Sequence, residues 1–353
     1  MSQRIVDLNS GTAMVVTDLH GEWDVYCRLR DFWLAQNAVG RLDRFVLCGD
    51  LIHNEGTEEN DSSLEMLLDV MAMQAEFGKE KVIMLLGNHE LPHIYGLTLA
   101  KGSVEFTPRF EAALTRLDQR FKAPCKRKEV REFLSNLPFF ARTKGGVLIT
   151  HAGASPDVSS AKHAERLINL NHSSLIEIAD RELKKFDIGS LQRGYSHFTG
   201  ISYEEQVKHY LAVTGTSDPR YNELLRVLFL SGQNTDFDLM WNTLFSQNEL
   251  DAGESTYNKT VKNFLQYFSD AGPQEVRVLV AGHISVKDGF TEVGKQQLRI
   301  ASCTHAFPRR SARYLILDCE KPVQTATDLV PGLQFVFETD QPHPMSFAPT
   351  KSA

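Results

Sequence analysis

The junction between Ala13-Met14-Val15-Val16 and Thr17-Asp18-Leu19-His20-Gly21 constrains this chain more than any other stretch. Four apolar residues in a row predict a short buried strand. An Asp and a His two residues apart at its end put a carboxylate and an imidazole where one cation can take both. Gly21 lets the backbone turn before the next helix. Read alone, the pair fits a surface turn equally well. Open α/β sheets, however, carry their chemistry at the carboxyl ends of strands, and four further strand ends in this chain hold ligand-type residues.

Arg44 to Cys48 predicts a second strand ending in Gly49-Asp50, and Lys81 to Leu86 a third ending in Gly87-Asn88-His89-Glu90. Gly146 to Thr150 predicts a fourth ending in His151-Ala152-Gly153, and Val276 to Val280 a fifth ending in Ala281-Gly282-His283. Between them lie helical patterns: Glu22 to Ala38 with Val25, Leu29, Phe32 and Trp33 on one face, a helix carrying Leu64, Leu67, Leu68 and Met71 capped by Asp61 or Ser62, and residues 108–121. The alternation predicts an α/β fold with helices on the faces of its sheets. From Ser155 to Ala271 the apolar spacing is helical, as in Tyr203 to Leu211, Tyr221 to Phe229 and Val261 to Phe268. The expectation is one domain over residues 1–340, with residues 155–271 as a helical insert capping the site and residues 341–353 as a loose, Pro- and Ser-containing tail. Further strands are expected at Gln297 to Ile300, Arg313 to Leu317 and Leu333 to Phe337.

Composition narrows the class. A net charge of −7 over 353 residues argues against a bulk nucleic-acid or anionic-membrane surface. The five cysteines form no CxxC pair, which reads as reduced thiols. The first residues lack an apolar signal core and no apolar run is long enough to span a bilayer. The expected location is the cytoplasm; the sequence leaves the oligomeric state open.

Asp18, His20, Asp50, Asn88, His151 and His283 together offer two carboxylates, three imidazoles and one amide oxygen. Oxygen and nitrogen donors without thiolate suit Mn, Fe or Zn. Two such ions, bridged by a carboxylate, acidify a shared water and neutralise phosphoryl oxygens.

The ordered set Asp-x-His-Gly, Gly-Asp, Gly-Asn-His-Glu, His-x-Gly and Gly-His resembles the calcineurin-like metallophosphoesterase superfamily. Three segments are similar to its phosphoprotein (Ser/Thr) phosphatase branch: His151-Ala152-Gly153-Ala154-Ser155-Pro156, Asp238-Leu239-Met240-Trp241, and His283 to Phe290. The resemblance implies a two-sheet β-sandwich flanked by helices. It implies two divalent or trivalent transition-metal ions, one held by Asp18, His20 and Asp50, the other by Asp50, Asn88, His151 and His283. His89 would protonate the leaving oxygen. Phosphomonoesterase action on a phosphorylated small molecule or phosphoprotein, including phosphoserine and phosphothreonine, is the first expectation. A nucleoside-polyphosphate or phosphodiester hydrolase is the second. A non-catalytic scaffold that lost its metals is the contrasting class.

The sequence departs from that branch after Asp50. His53 stands where the branch has the Asp that orients the catalytic His, and Asn54 where it has a phosphate-clamping Arg. His53, Asn54, Arg226 and His305 are therefore the expected substrate-binding residues, with Arg193 and Arg220 as further candidates for the clamp. His93, His163, His172, His197, His209 and His343 read as ordinary buried or surface histidines.

Overall fold

The computed structural model describes residues 4–121, 125–245 and 247–337; the expected tail at 341–353 lies outside them. Two sheets carry the fold. In the five-stranded one, Thr12–Val16, Arg44–Leu47 and Val82–Met84 run parallel, with Val15 opposite Val46 and Val46 opposite Ile83; Arg313–Asp318 joins antiparallel and Leu333–Phe335 closes that edge. In the six-stranded one, Val147–Thr150, Val278–Ala281 and Gln297–Ile300 run parallel, flanked by Phe140–Thr143 and Ile5–Leu8 on one side and Phe290–Val293 on the other. The expected two-sheet α/β architecture is present. Ile5–Leu8, Phe140–Thr143 and Phe290–Val293 were not foreseen, because polar and charged residues interrupt each of them: Asp7, Arg142 and Glu292.

The period of two along each strand explains why the sheets stack. Ala13, Val15, Val46, Cys48 and Ile83 point from the first sheet into one apolar cluster with Val147, Ile149, Val278, Val280, Leu298 and Ile300 from the second. Met14, Val16, Phe45, Leu47, Val82 and Met84 point the other way, into a core shared with the helices. Each such Val or Leu contributes roughly 1.5–3 kcal/mol by leaving water. Both faces of the central strands are therefore committed, and a slip of one residue would exchange two buried sets.

The helices Trp23–Ala38, Ser63–Phe77 and Phe106–Phe121 sit as expected. At the second, the side-chain acceptor at the start is Asp61, whose Oδ1 takes the Ser63 N–H at 3.0 Å. Residues 155–271 form helices and no strand among those described, the longest being Glu254–Asp270. Tyr221 to Phe229 resolves into a turn followed by a 3-10 helix, Glu223–Phe229. One part of the segment, including Leu167, Phe237, Val261 and Phe264, joins the main core. Another part, around Tyr203, Val207, Leu211 and Leu224, packs into a small core of its own. No described helix is long and apolar enough to cross a membrane, and Cys27, Cys48, Cys303 and Cys319 are free thiols.

Candidate metal centre

Parallel strands bring their carboxyl ends together, so Asp18 and His20, Asp50, Asn88 and His89 leave one sheet beside His151 and His283 leaving the other. The loops are stitched by their backbones: His20 N–H to the Asp50 carbonyl at 3.0 Å, Gly21 N–H to that of Leu51 at 2.8 Å, Gly282 N–H to that of His151 at 2.9 Å. Across the sheets, Asp18 Oδ1 accepts the His283 N–H at 2.8 Å, and Thr17 donates to the Ile300 carbonyl at 3.0 Å. The loops approach so closely that a Cβ on Gly87 would lie 2.3 Å from Asp50 Oδ1, and one on Gly282 would lie 2.0 Å from Asp18 Oδ2. Gly87 and Gly282 are there for space.

The backbone is held out of its ordinary wells at the same place. Among the described residues, seven non-glycine residues have positive φ, and five of them are Asp18, His20, Asp50, His53 and His283. Such conformations cost of order 1–3 kcal/mol each and persist where the surroundings over-determine them.

Three groups of ligand atoms form, each with its atoms within 4.8 Å of one another: Asp18, His20 and His305; His20, Asp50 and His89; Asp50, His151 and His283. Asp50 stands in two of them, with Oδ2 3.3 Å from His151 Nε2 and 3.8 Å from His20 Nε2. His151 Nδ1 donates to the Cys48 carbonyl at 2.8 Å, which fixes the tautomer and leaves Nε2 to face Asp50 and the Asn88 amide oxygen, 2.8 Å away. Asp18 Oδ2, both ring nitrogens of His20, His283 Nε2 and His305 Nδ1 are buried with no hydrogen-bond partner. Buried polar atoms are rarely left so. Their number in one place, and their oxygen-plus-imidazole chemistry, fit bound metal.

Electrostatics agree. Burial pushes His283 down to about 3 and lowers His20, so these two rings are neutral, as ligands must be, and it likewise pushes His89 down to about 3. Burial also works against a charged His151, but Asp50 and Asp18 outweigh it and raise its pKa to about 9. A field that attracts a proton this strongly attracts a metal cation.

The expected substrate contacts fare differently. Asn54 donates to the His20 carbonyl at 3.0 Å and to Glu22 Oε1 at 3.1 Å, and accepts from Gly56 N–H at 2.7 Å, so it ties the loop and has no donor to spare. His53 is wholly buried and bonded to His89 and His93. His305 lies beside Asp18, Nδ1 to Oδ1 3.5 Å, which puts it with the ligand set. Arg226 goes elsewhere: Nε and Nη2 bind Asp180 at 2.8 and 3.1 Å, and Nη1 binds the Tyr95 carbonyl at 3.1 Å. Its cavity, about 640 Å³ and shared with Arg4 and Arg131, is lined by none of the strand-end residues around Asp50. Arg220 is spent on Asp218 and the Leu211 carbonyl, and Arg193 is exposed beside Asp187.

Two further groups shape the site. Glu90 accepts from the backbone N–H of Asp50, Leu51 and Gly87 at 2.9–3.1 Å, tying two ligand loops together; it was visible within Gly-Asn-His-Glu but its task was not. Buried Arg299 holds the Gly282 and Ala152 carbonyls and is itself paired with Glu249, 2.6 Å away, from the helical segment. Nothing in the sequence links residues 249 and 299.

Comparison with solved structures places the chain near a protein serine/threonine phosphatase from Saccharomyces cerevisiae, at 11% identity and TM-score 0.50, covering 97% of this chain and 86% of that one. A cold-active protein-tyrosine phosphatase of a psychrophilic Shewanella species is also similar, at 15% identity and TM-score 0.42, over 90% and 79% of the two chains. Comparison with curated protein sequences gave no match. Residues 11–289 match the family described as calcineurin-like phosphoesterase, and on that match over most of its length the chain belongs to this family of metal-dependent phosphoester hydrolases.

Proposed function

We propose that the chain is a phosphomonoesterase with a dinuclear metal centre, acting on a phosphorylated small molecule or on phosphoserine and phosphothreonine. The observation that carries the metal reading is the convergence of unpartnered buried ligand atoms on Asp50. Asp18, His20 and Asp50, with His305 beside them, would hold one ion; Asp50, Asn88, His151 and His283 would hold the other. Two bound ions would supply a water of lowered pKa and neutralise charge at phosphorus. His89, with Nε2 3.9 Å from Asp50 Oδ2, would give a proton to the leaving oxygen. The segment 155–271 supports the loops through Glu249 and Tyr257, whose hydroxyl accepts the Ala154 N–H at 3.1 Å and donates to Gln297 at 2.8 Å. These contacts support a bracing role, beside the cap proposed for the insert.

A second reading, a phosphodiester or nucleoside-polyphosphate hydrolase, draws on the same geometry. Arg226 and Arg220 are spent on carboxylates and backbone carbonyls and Arg193 lies exposed beside Asp187, and a diester carries less charge to clamp. The test is metal content of the purified protein, then hydrolysis of a phosphoserine peptide, nitrophenyl phosphate and bis-nitrophenyl phosphate with added Mn²⁺. Two equivalents of metal and preference for the monoesters support the first reading. Preference for the diester moves the assignment to the second, and a protein that takes up no paired metal would falsify both.

A further inference from the structure

The family-like Asp that would orient His89 is replaced by His53, and the structure shows what lies behind that ring. His89 Nδ1 is 3.2 Å from His53 Nδ1, His53 Nε2 is 2.8 Å from His93 Nε2, and His93 Nδ1 is 3.0 Å from Glu111 Oε1. The four groups come from four different elements or loops. They are sealed by two rings of the Phe106–Phe121 helix: Phe106 stacks on His53 with centroids 5.2 Å apart, and Phe110 lies 4.4 Å from His93. His53, His93 and Glu111 are all at most 1% exposed.

In a dry chain of touching rings the imidazoles are neutral, because neighbouring charges in such a place repel without solvent to screen them. Each ring then has one N–H and one lone pair. Glu111 is bound by Arg127 and lies 3.6 Å from Arg220. Burial works against its charge, but His93, Arg131 and Arg127 hold its pKa down to about 2. An ionised carboxylate can only accept. His93 must therefore donate from Nδ1 and accept at Nε2, so His53 donates from Nε2 and accepts at Nδ1, and so His89 donates from Nδ1. One carboxylate fixes three tautomers in succession, and the His89 Nε2 lone pair is left facing the ligand cluster.

We propose that Glu111 is a positioning residue that, through His93 and His53, sets the tautomer and ring orientation of His89; this rests on the reading of His89 as the acid. For that step the free Nε2 lone pair first takes a proton from solvent. As a water oxygen bonds to phosphorus and releases its own proton to solvent, the leaving oxygen keeps the electron pair of the broken P–O bond and takes the His89 Nε2 proton. The ring returns to the Nδ1–H tautomer that the chain already enforces, and no proton along the chain has to move.

The test is nitrogen-15 NMR of the histidine rings in the parent and in Glu111→Gln. Arg127 holds the amide oxygen of the new side chain, turning its NH₂ toward His93 Nδ1, so every bond in the chain reverses. The expected result is protonated His89 Nδ1 in the parent and protonated Nε2 in Glu111→Gln. For an alkyl phosphate, kcat should fall on the order of tenfold, part of what a general acid supplies, with KM and metal content unchanged. A His53→Asp background puts a carboxylate directly beside His89 Nδ1, and there the Glu111→Gln penalty should disappear. If Glu111→Gln does not fold, His93→Phe cuts the same chain at similar volume and should give mixed His89 tautomers. His89 Nδ1 still fully protonated in the variant, or an equal loss of kcat in both backgrounds, overturns the proposal. A parent without phosphoesterase activity would sink the functional reading, while the ring measurement would still decide this one.

Discussion

At the strand ends, Asp18 Oδ2, both His20 nitrogens and His283 Nε2 are buried without a partner, on a backbone held at positive φ. In the helical segment, buried Arg226 has every nitrogen bonded, and Arg220 is closed on Asp218 and a carbonyl. Both regions bury charge. The helices do so as folding demands, pairing each cation. The strand ends do the reverse, and a chain that leaves that much polar potential unpaired does so where function requires it. Substitutions should therefore separate: changes at the strand ends remove chemistry, and changes in the helices and the core behind them remove stability.

The largest effect should come from Asp50→Asn. Only a charged carboxylate bridges two cations well, so turnover should vanish and metal analysis should show both sites depleted. Full activity with two bound ions would break the contrast at its centre. Next is His89→Asn, which should keep both metals and slow hydrolysis of an alkyl phosphate by roughly 10²–10⁴-fold. The loss should shrink for nitrophenyl phosphate, whose leaving group needs little protonation. Equal losses on both substrates would assign His89 another task.

Glu249→Ala probes the seam between the regions. It leaves Arg299, 1% exposed, without its carboxylate, and breaking a buried pair this way costs about 3–5 kcal/mol. Urea unfolding should show that loss. An unchanged midpoint would mean that the helical segment does not brace the loops.

Most of the strand-end region could be read from sequence because it is local. A run of four apolar residues sets the strand, the next residues are its end, and the parallel order brings the ends together. That logic located Asp18, His20, Asp50, Asn88, His89, His151 and His283. It does not extend to Arg226, whose partner Asp180 is set by how two helices pack, nor to Glu111, which meets His93 only after the Phe106–Phe121 helix docks. Asn54 and His53 were picked out because they depart from a familiar pattern, but their hydrogen bonds serve the loop and the histidine chain. Ion-pair partners distant in sequence carry no period and no spacing, so they appear only in the fold.

Glu111 allows a measurement in acid. Its pKa falls from 4.5 to about 2 on folding, with burial opposing and His93, Arg131 and Arg127 prevailing. A depressed carboxylate contributes stability that is complete above its unfolded pKa and is lost as pH falls toward the folded value. The parent should therefore lose about 3 kcal/mol between pH 4.5 and 2 that Glu111→Gln does not lose over the same window. Parallel pH profiles for the two proteins would show that the carboxylate is not charged in the fold.

The smallest effects should come from the arginines of the helical segment, and they bear most directly on how substrate is held. Arg226→Ala removes hydrogen bonds to a half-exposed Asp180 and to the Tyr95 carbonyl, worth about 2 kcal/mol together, and should lower the unfolding midpoint. Arg193 is exposed beside Asp187, and Arg193→Ala should stay within about 0.5 kcal/mol of the parent. Neither variant should change KM for any phosphoester, because neither guanidinium is among the groups around Asp50. With Asn54 and His53 also occupied, the phosphoryl oxygens would be left to the metals and to His305. A raised KM in Arg226→Ala with normal metal content is the pattern of lost substrate binding. It would mean that this arginine leaves Asp180 when substrate arrives, and that the paired region takes part in the chemistry.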